Sequence, residues 1–536
     1  VKAQVRDRGR KGMTMLRTNR TLLITLALMG LALFMRALPG ARTIDDAFIT
    51  FRYSRNLLDG LGFVYNPGVF TLGTTTPLWT LLMAALGGLL RGGDFPHYAI
   101  LLSALADAGT CALLYVLARR LTGQPALAVL PGLLWALSPM SVTFAVGGME
   151  TSANIFWMVA ATAVYVHIPA PGTRLARWRL PLLGVLCGLG ILTRIDSLLW
   201  VAPLLLAQTL EALRGSAPFV RRLPLRTWVA FGLVLLPWFA FAALTFGSPF
   251  PRSLNAKTVA YSMPPASALV SFIQAYATPF FEYETFGGAA IAVGGLLYLG
   301  LSAIGLLAVA RRLPRLLPFL LYPFLYLIVF AAANPLIFRW YLAPPMPALM
   351  LGIFAGLWVV AGGTRQNGLP RAGLFGMAAV GLVWMLTSLG GWTLHPDHAP
   401  DRPAPLMAWH KIELLYEAIG TELRESYGVT PQTVVASGDI GAVGYFSRAT
   451  ILDTVGLVTP AMSAYYPISP DLIPPGQNYA IPPRLILDNQ PAYLVAMEGM
   501  VRLGLEQDAD FRAQYELLRD IPTDFYGTGM RLYRRR

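Results

Sequence analysis

I-D-D-A-F-I-T-F-R-Y-S-R-N, residues 44–56, follows the first hydrophobic run of this 536-residue chain and sets two adjacent carboxylates, Asp45 and Asp46, at its exit. Charges are costly inside a bilayer and cheap at its face, so the stretch places chemistry where a membrane helix emerges into water. The surrounding composition decides the fold class. Apolar residues make up 55% of the chain and charged ones 13%, with mean hydropathy +0.55, against about 25% charged in soluble globular chains. The chain reads as a polytopic α-helical membrane protein.

Apolar runs of roughly 17–25 residues cross a bilayer as helices. Eleven spans are predicted, at about 22–38, 97–118, 125–146, 151–168, 180–194, 197–213, 226–246, 288–310, 316–335, 342–361 and 371–391. Residues 46–60, 76–91 and 265–286 read as outer-face helices lying in or dipping into the membrane, because counting 76–91 as a span would put Arg119 and Arg120 outside. Residues 1–20 and the loops assigned to the cytoplasm hold 21 basic residues against two acids, Asp7 and Glu211. The rest of the membrane half holds nine of each sign, and residues 392–536 hold 12 basic and 17 acidic. The net charge of +14 is therefore a positive-inside topology signal, and no nucleic-acid partner is implied. Seven Lys or Arg in residues 1–20, with no small-residue cleavage site after the apolar run, predict a retained cytoplasmic N-terminus. Eleven spans then place the C-terminus outside.

Two units follow: a transmembrane catalytic domain over 1–391 and a small extracytoplasmic α/β domain over 392–536. Residues 392–405 read as a linker. Beyond it the pattern predicts a helix over 406–423, a strand at 433–436, a turn into a helix at G-D-I-G-A-V-G-Y-F, and strands at 451–455 and 492–496. Cys111 and Cys187 both fall in predicted spans and leave the outer domain without a disulfide. His395 and His398 have metal-like spacing but no third ligand.

The polar residues of the membrane half gather on one side. Glu150 sits in G-G-M-E-T, Arg194 and Asp196 in T-R-I-D-S, Asn255 and Lys257 in P-R-S-L-N-A-K, and Arg339 and Tyr341 in F-R-W-Y-L-A-P-P. Lys257 is the one lysine between positions 11 and 411, and a compact ammonium suits a single phosphate oxygen. The pair Asp45/Asp46 fits a helix N-cap or a general base taking a proton from an acceptor hydroxyl. Arg194 fits either a phosphate contact or a pair with Asp196, and Arg52 either a head-group contact or a pair with Asp46. Asp107, in mid-span, has no partner in the pattern.

With Y-N-P-G at Tyr65–Gly68, T-T-T-P-L-W at Thr74–Trp79, G-M-E-T, L-T-R-I-D, P-R-S-L-N-A-K and R-W-Y-L-A-P in order, the chain resembles the polyprenyl-phosphate-dependent GT-C glycosyltransferases, most closely the mycobacterial terminal β-arabinofuranosyltransferase subgroup. It departs from that pattern at Val69, Thr76 and Pro251–Ser253. The resemblance implies the GT-C fold, with Asp45 as catalytic base and Asp46 positioning the acceptor or a divalent cation. It implies Lys257, Arg194, Arg339 and Tyr341 on the donor phosphate, and Arg52, Tyr65, Asn66, Glu150, Asp196 and Asn255 around the substrates. It also implies transfer from a polyprenyl-phosphate sugar, such as an arabinofuranose donor, to a cell-wall glycan or lipid-linked acceptor outside a bacterial plasma membrane. No further cofactor is expected. A transporter or flippase of lipid-linked sugars would instead need mid-membrane polar sites and inverted repeats, and a non-catalytic envelope-assembly protein would leave the paired acids dispensable.

Overall fold

The structure is a computed structural model that describes residues 2–169, 173–214, 222–251, 253–281, 287–365, 369–390, 392, 408–523 and 527–536; the side chains of 2–19, 253–255 and 408–411 lie outside that description. The chain opens with α1 (Lys2–Ala37), α2 (Asp45–Leu58), α3 (Pro77–Leu90), α4 (Phe95–Thr122), α5 (Pro125–Leu137), α6 (Pro139–Val146), α7 (Thr151–Val166), α8 (Arg174–Thr193) and α9 (Leu198–Leu213). It continues through α10 (Leu225–Phe246), α11 (Ser253–Ala260), α12 (Ser267–Ala277), α13 (Gly287–Arg312), α14 (Pro314–Ala333), α15 (Met346–Val360) and α16 (Arg371–Gly390).

Among the described residues eight helices are long and apolar enough to cross a membrane, and the α5–α6 pair, bent by 49°, makes a ninth. The protein is multi-pass. Two expected spans are shorter helices. α7 ends at Val166 because Ile168 precedes Pro169, and a residue before proline disfavours helical backbone. α15 begins at Met346, not 342: Ala343 and Pro344 each precede a proline, and a residue before proline disfavours helical backbone. All but three of its residues are buried, as suits a helix apolar on every side. It packs closely on α13: a Cβ on Gly356 would meet the Leu301 carbonyl oxygen at 1.9 Å. Small residues allow such backbone approach between membrane helices. The regions expected to lie at the membrane face form α2, α3 and α12.

The bend between α5 and α6 explains Asp107. Pro139 has no N–H for the Trp135 carbonyl four residues back, and the bend frees the Ala136 carbonyl too. The Arg36 guanidinium, fully buried, donates to both, at 3.4 and 2.7 Å. Asp107 supplies the compensating charge, accepting from Arg36 Nε at 3.0 Å, Trp135 Nε1 at 3.2 Å and Ser152 Oγ at 3.1 Å. Five helices, α1, α4, α5, α6 and α7, meet at this pair, α6 through Ser141, whose Oγ accepts from Arg36 at 2.5 Å.

After the membrane part come α17 (Ala408–Glu425), β1 (Val434–Ser437), α18 (Gly441–Ser447), β2 (Thr450–Asp453), α19 (Pro483–Asn489), β3 (Tyr493–Met497), α20 (Ala509–Gln514), β4 (Tyr515–Pro522) and β5 (Gly529–Arg535). The strands form one sheet in the order β2-β1-β3-β5-β4, parallel across β2, β1 and β3 and antiparallel across β3-β5 and β5-β4. The expected helix and three expected strands correspond to α17, β1, β2 and β3. Residue 391 and linker residues 393–407, with His395 and His398, lie outside the described residues.

Candidate functional site

The two acids that open α2 go separate ways. Asp45 is buried, and its two oxygens accept from the backbone N–H groups of Gly441, at 2.9 Å, and Ala442, at 2.7 Å, where α18 begins. Burial foremost, then the negative charge of Asp439, holds its carboxyl well above the usual carboxylate range, against the pull of those two hydrogen bonds. Asp46 has a side chain 30% exposed and lies with its Oδ2 3.8 Å from Lys257 Nζ, itself 28% exposed. That separation exceeds a hydrogen bond, so neither group saturates the other.

Lys257 projects from α11 and stands 4.8 Å from the Phe338 ring centroid. Burial pulls its ammonium down, but the charge of Asp46, with Tyr341 and Asp439 behind it, outweighs burial and raises it. It is therefore cationic at neutral pH. Phe338 enters the short turn Arg339–Tyr341, stacked on Trp340 at 4.6 Å, and Arg339 lies on the turn's exposed side. Tyr341 also meets the next cluster, since the Arg194 guanidinium lies 5.1 Å from its ring.

Arg194 is closely engaged. It donates to Glu150 Oε1 at 2.8 Å and to both oxygens of Asp196, the nearest at 2.8 Å, while Tyr326 donates to Asp196 at 3.1 Å. Two carboxylates against one guanidinium leave no surplus positive charge for a phosphate. The expected substrate contacts Glu150 and Asp196 are thus Arg194's partners, and Asn255 lies on α11 with its side chain outside the described residues.

The other three expected substrate contacts face the C-terminal unit. Arg52 is buried and donates to the carbonyls of Tyr65, Gly444 and Ala449 and to Asn66 Oδ1, at 2.9, 2.7, 2.6 and 3.1 Å. Asn66 exchanges two hydrogen bonds with Ile451, and the Tyr65 hydroxyl donates to the Ile440 carbonyl. The Y-N-P-G segment is a latch between the two units. The glycines of G-A-V-G follow from that closeness: a Cβ on Gly441 would meet the Asp45 carbonyl oxygen at 1.7 Å, and one on Gly444 the Tyr65 hydroxyl at 2.1 Å. T-T-T-P-L-W is likewise anchored, with Trp79 Nε1 donating to the Gly148 carbonyl at 3.1 Å.

Asp439, which the sequence did not single out, joins the site from the C-terminal unit. Its charge acts on Asp45 and on Lys257, and Asp46 acts on it in turn. Burial first, opposed by the Tyr416 hydroxyl that donates to it at 2.8 Å, pushes its carboxyl up to about 6. No three His, Cys, Asp or Glu side chains converge as a metal site among the described residues.

A multi-helix membrane body, acids in its first loop and a small domain latched over them form the GT-C fold. Solved structures show it. ArnT from Cupriavidus metallidurans bound to undecaprenyl phosphate is similar with TM-score 0.55 and 15% identity, covering 97% of this chain and 98% of that one. AglB from Archaeoglobus fulgidus, in complex with an inhibitory peptide and a dolichol-phosphate, is similar with TM-score 0.55 and 13% identity over 94% of this chain and 73% of that one. Residues 75–241 match the family model described as dolichyl-phosphate-mannose-protein mannosyltransferase, and residues 407–533 match a domain of unknown function, DUF8728. No curated protein matches the chain significantly.

Proposed function

We propose that this chain is a membrane glycosyltransferase that moves a sugar from a polyprenyl-phosphate donor to a hydroxyl of a glycan acceptor, with Asp46 as base and Lys257 as the phosphate contact. One observation carries the reading: among the acids and cations expected at the site, Asp46 and Lys257 form a loose pair, both partly exposed, while Asp45 and Arg194 are spent on backbone and carboxylates. Asp45, the base that the resemblance implies, is in this reading the residue that seats the C-terminal unit.

In the proposed step an acceptor oxygen attacks the anomeric carbon of the donor. The bond from that carbon to the phosphate oxygen breaks with its electron pair, and the Lys257 ammonium stabilises the charge left on phosphate. Asp46 takes the acceptor's proton. Arg194 acts indirectly here, holding Tyr341. Arabinofuranose as the sugar, a cell-wall polysaccharide as the acceptor and the outer face of a bacterial plasma membrane as the place complete the proposal.

Transfer of labelled pentose from polyprenyl phosphate to arabinan, by the full chain in nanodiscs, tests it. Asp46→Asn is expected to lower kcat by about 10²- to 10⁴-fold with the unfolding temperature unchanged. Asp45→Asn is expected to lower the unfolding temperature, because an amide N–H would face a backbone donor. Full activity in Asp46→Asn, with transfer lost in a normally folded Asp45→Asn, would return the base to Asp45.

A further inference from the structure

The reach of the C-terminal unit into the site has a chemical meaning. Asp439 lies on the turn between β1 and α18, and its neighbours are fixed on every side. Gly438 is packed so that an added Cβ would meet the Tyr479 ring at 3.2 Å, the Ile440 carbonyl accepts from Tyr65, and Gly441 and Ala442 bond Asp45. From Val435 to Gly444, Asp439 alone is not fully buried. A turn this constrained holds one carboxylate less buried than the residues around it. Tyr416 engages its Oδ2 at 2.8 Å, and no described donor occupies Oδ1.

Its surroundings identify the kind of ligand. The charges of Asp46 and Asp439 both act on the one ammonium, Lys257, and Tyr261, Tyr416 and Tyr479 lie near Asp439. The Asp439 carboxylate repels a phosphate, so the Asp439 side is not where the donor's phosphate sits. Carboxylates beside aromatic rings suit neutral sugars, whose hydroxyls donate hydrogen bonds and whose C–H faces lie on rings. Tyr261, partly exposed on the segment that follows α11 and 5.6 Å from the Tyr479 ring, supplies such a face.

We propose that Asp439 is an acceptor-binding residue contributed by the C-terminal unit: its carboxylate accepts a hydrogen bond from one hydroxyl of a neutral acceptor sugar while Asp46 serves the hydroxyl that attacks. The inference rests on the transfer reading above and assigns the acceptor to the Asp439 side of Lys257, the donor to the other.

The test uses the full chain in nanodiscs, a labelled polyprenyl-phosphate pentose and an arabinan pentasaccharide. Asp439→Asn keeps an oxygen for Tyr416 but loses the charge, and its acceptor KM is expected to rise about tenfold or more, with donor KM unchanged and the unfolding temperature no lower than that of wild type. Tyr416→Phe, which keeps the carboxylate but frees its orientation, is expected to raise acceptor KM less. Unchanged acceptor KM in Asp439→Asn would overturn the inference while leaving the transfer reading intact, and so would an equal rise in both KM values. Should wild type transfer nothing, the transfer reading falls, and direct titration with the same pentasaccharide decides for Asp439. Binding by wild type that Asp439→Asn weakens tenfold would keep it as a glycan contact; no binding, or equal binding, would remove it.

Discussion

Neighbouring residues at the start of a helix point about 100° apart, and Asp45 and Asp46 use that angle to serve different parts of the molecule. The adjacent pair is legible in the sequence; the division of labour is not, because the N–H groups that claim Asp45 lie 396 and 397 residues further on. The same distance hid Asp439, which reads as a polar residue in a glycine-rich turn until the turn is laid against α2. Arg52, Tyr65 and Asn66 read in the sequence as substrate contacts, and in the structure they also bond the backbone of the C-terminal unit, partners equally remote in the chain. Asp439 also carries a pH signature. Its carboxyl is raised from 3.8 to about 6 by burial first, with Asp46 and Asp453 adding to it and Tyr416 and Lys257 opposing. A raised acid favours the folded state fully below its ordinary value and loses that contribution as pH rises through about 6. Asp439→Asn is therefore expected to be more stable than wild type at pH 7.5, by on the order of 1–2 kcal/mol, with the difference shrinking between pH 6 and 4. Thermal unfolding across that range checks it. A wild-type advantage growing with pH would contradict the burial argument.

At the scale of elements, hydropathy found most of the helices because burying a polar backbone in lipid leaves little else to build. It overran at α7 and α15, where apolar side chains continue beyond the boundary that proline sets, at the end of α7 and at the start of α15. It missed β4 and β5, where adjacent charges such as Arg519-Asp520 and Arg534-Arg535 break the apolar pattern; β4 is an edge strand, and charges there deter pairing with other chains. The predicted span 125–146 runs straight through Ser138-Pro139, where the structure bends by 49°, and Arg36 reads only as the end of the first span, so neither the bend nor its compensation was legible. Arg36→Met leaves Asp107 buried without its charge partner and is expected to cost about 3–5 kcal/mol. Arg36→Met with Asp107→Leu is expected to recover only part of that, because the Trp135 and Ala136 carbonyls still lack a donor. Unfolding temperatures of the purified variants decide this. Full recovery in the double variant would mean that the carbonyls find other partners.

Across the whole molecule, the membrane body and the C-terminal unit share one interior. Phe48 packs on the rings of Tyr445 and Phe446 at 5.1 Å from each, and Arg52 and Asn66 bond backbone within and just after α18. A docking surface set by backbone contact tolerates no added atoms. Gly441→Ala is expected to loosen the C-terminal unit, lowering the unfolding temperature and opening the 426–433 and 454–478 loops to protease, with a cost of about 2 kcal/mol or more. Gly444→Ala should be milder, since the Tyr65 and Arg52 side chains can shift where the Asp45 backbone cannot. Unchanged proteolysis in Gly441→Ala would show that the two units are held elsewhere.

The Arg52 latch also sets an order of events during synthesis. Its carbonyl partners at Gly444 and Ala449 lie 392 and 397 residues downstream, so at roughly 5–20 residues per second the guanidinium waits about 20–80 s for them. Through that interval the first loop lacks its seat for Asp45, and Asp439 has not yet been made. A ribosome-bound or truncated chain can therefore insert its helices but cannot assemble the site, and competence arrives only with the last quarter of the polypeptide.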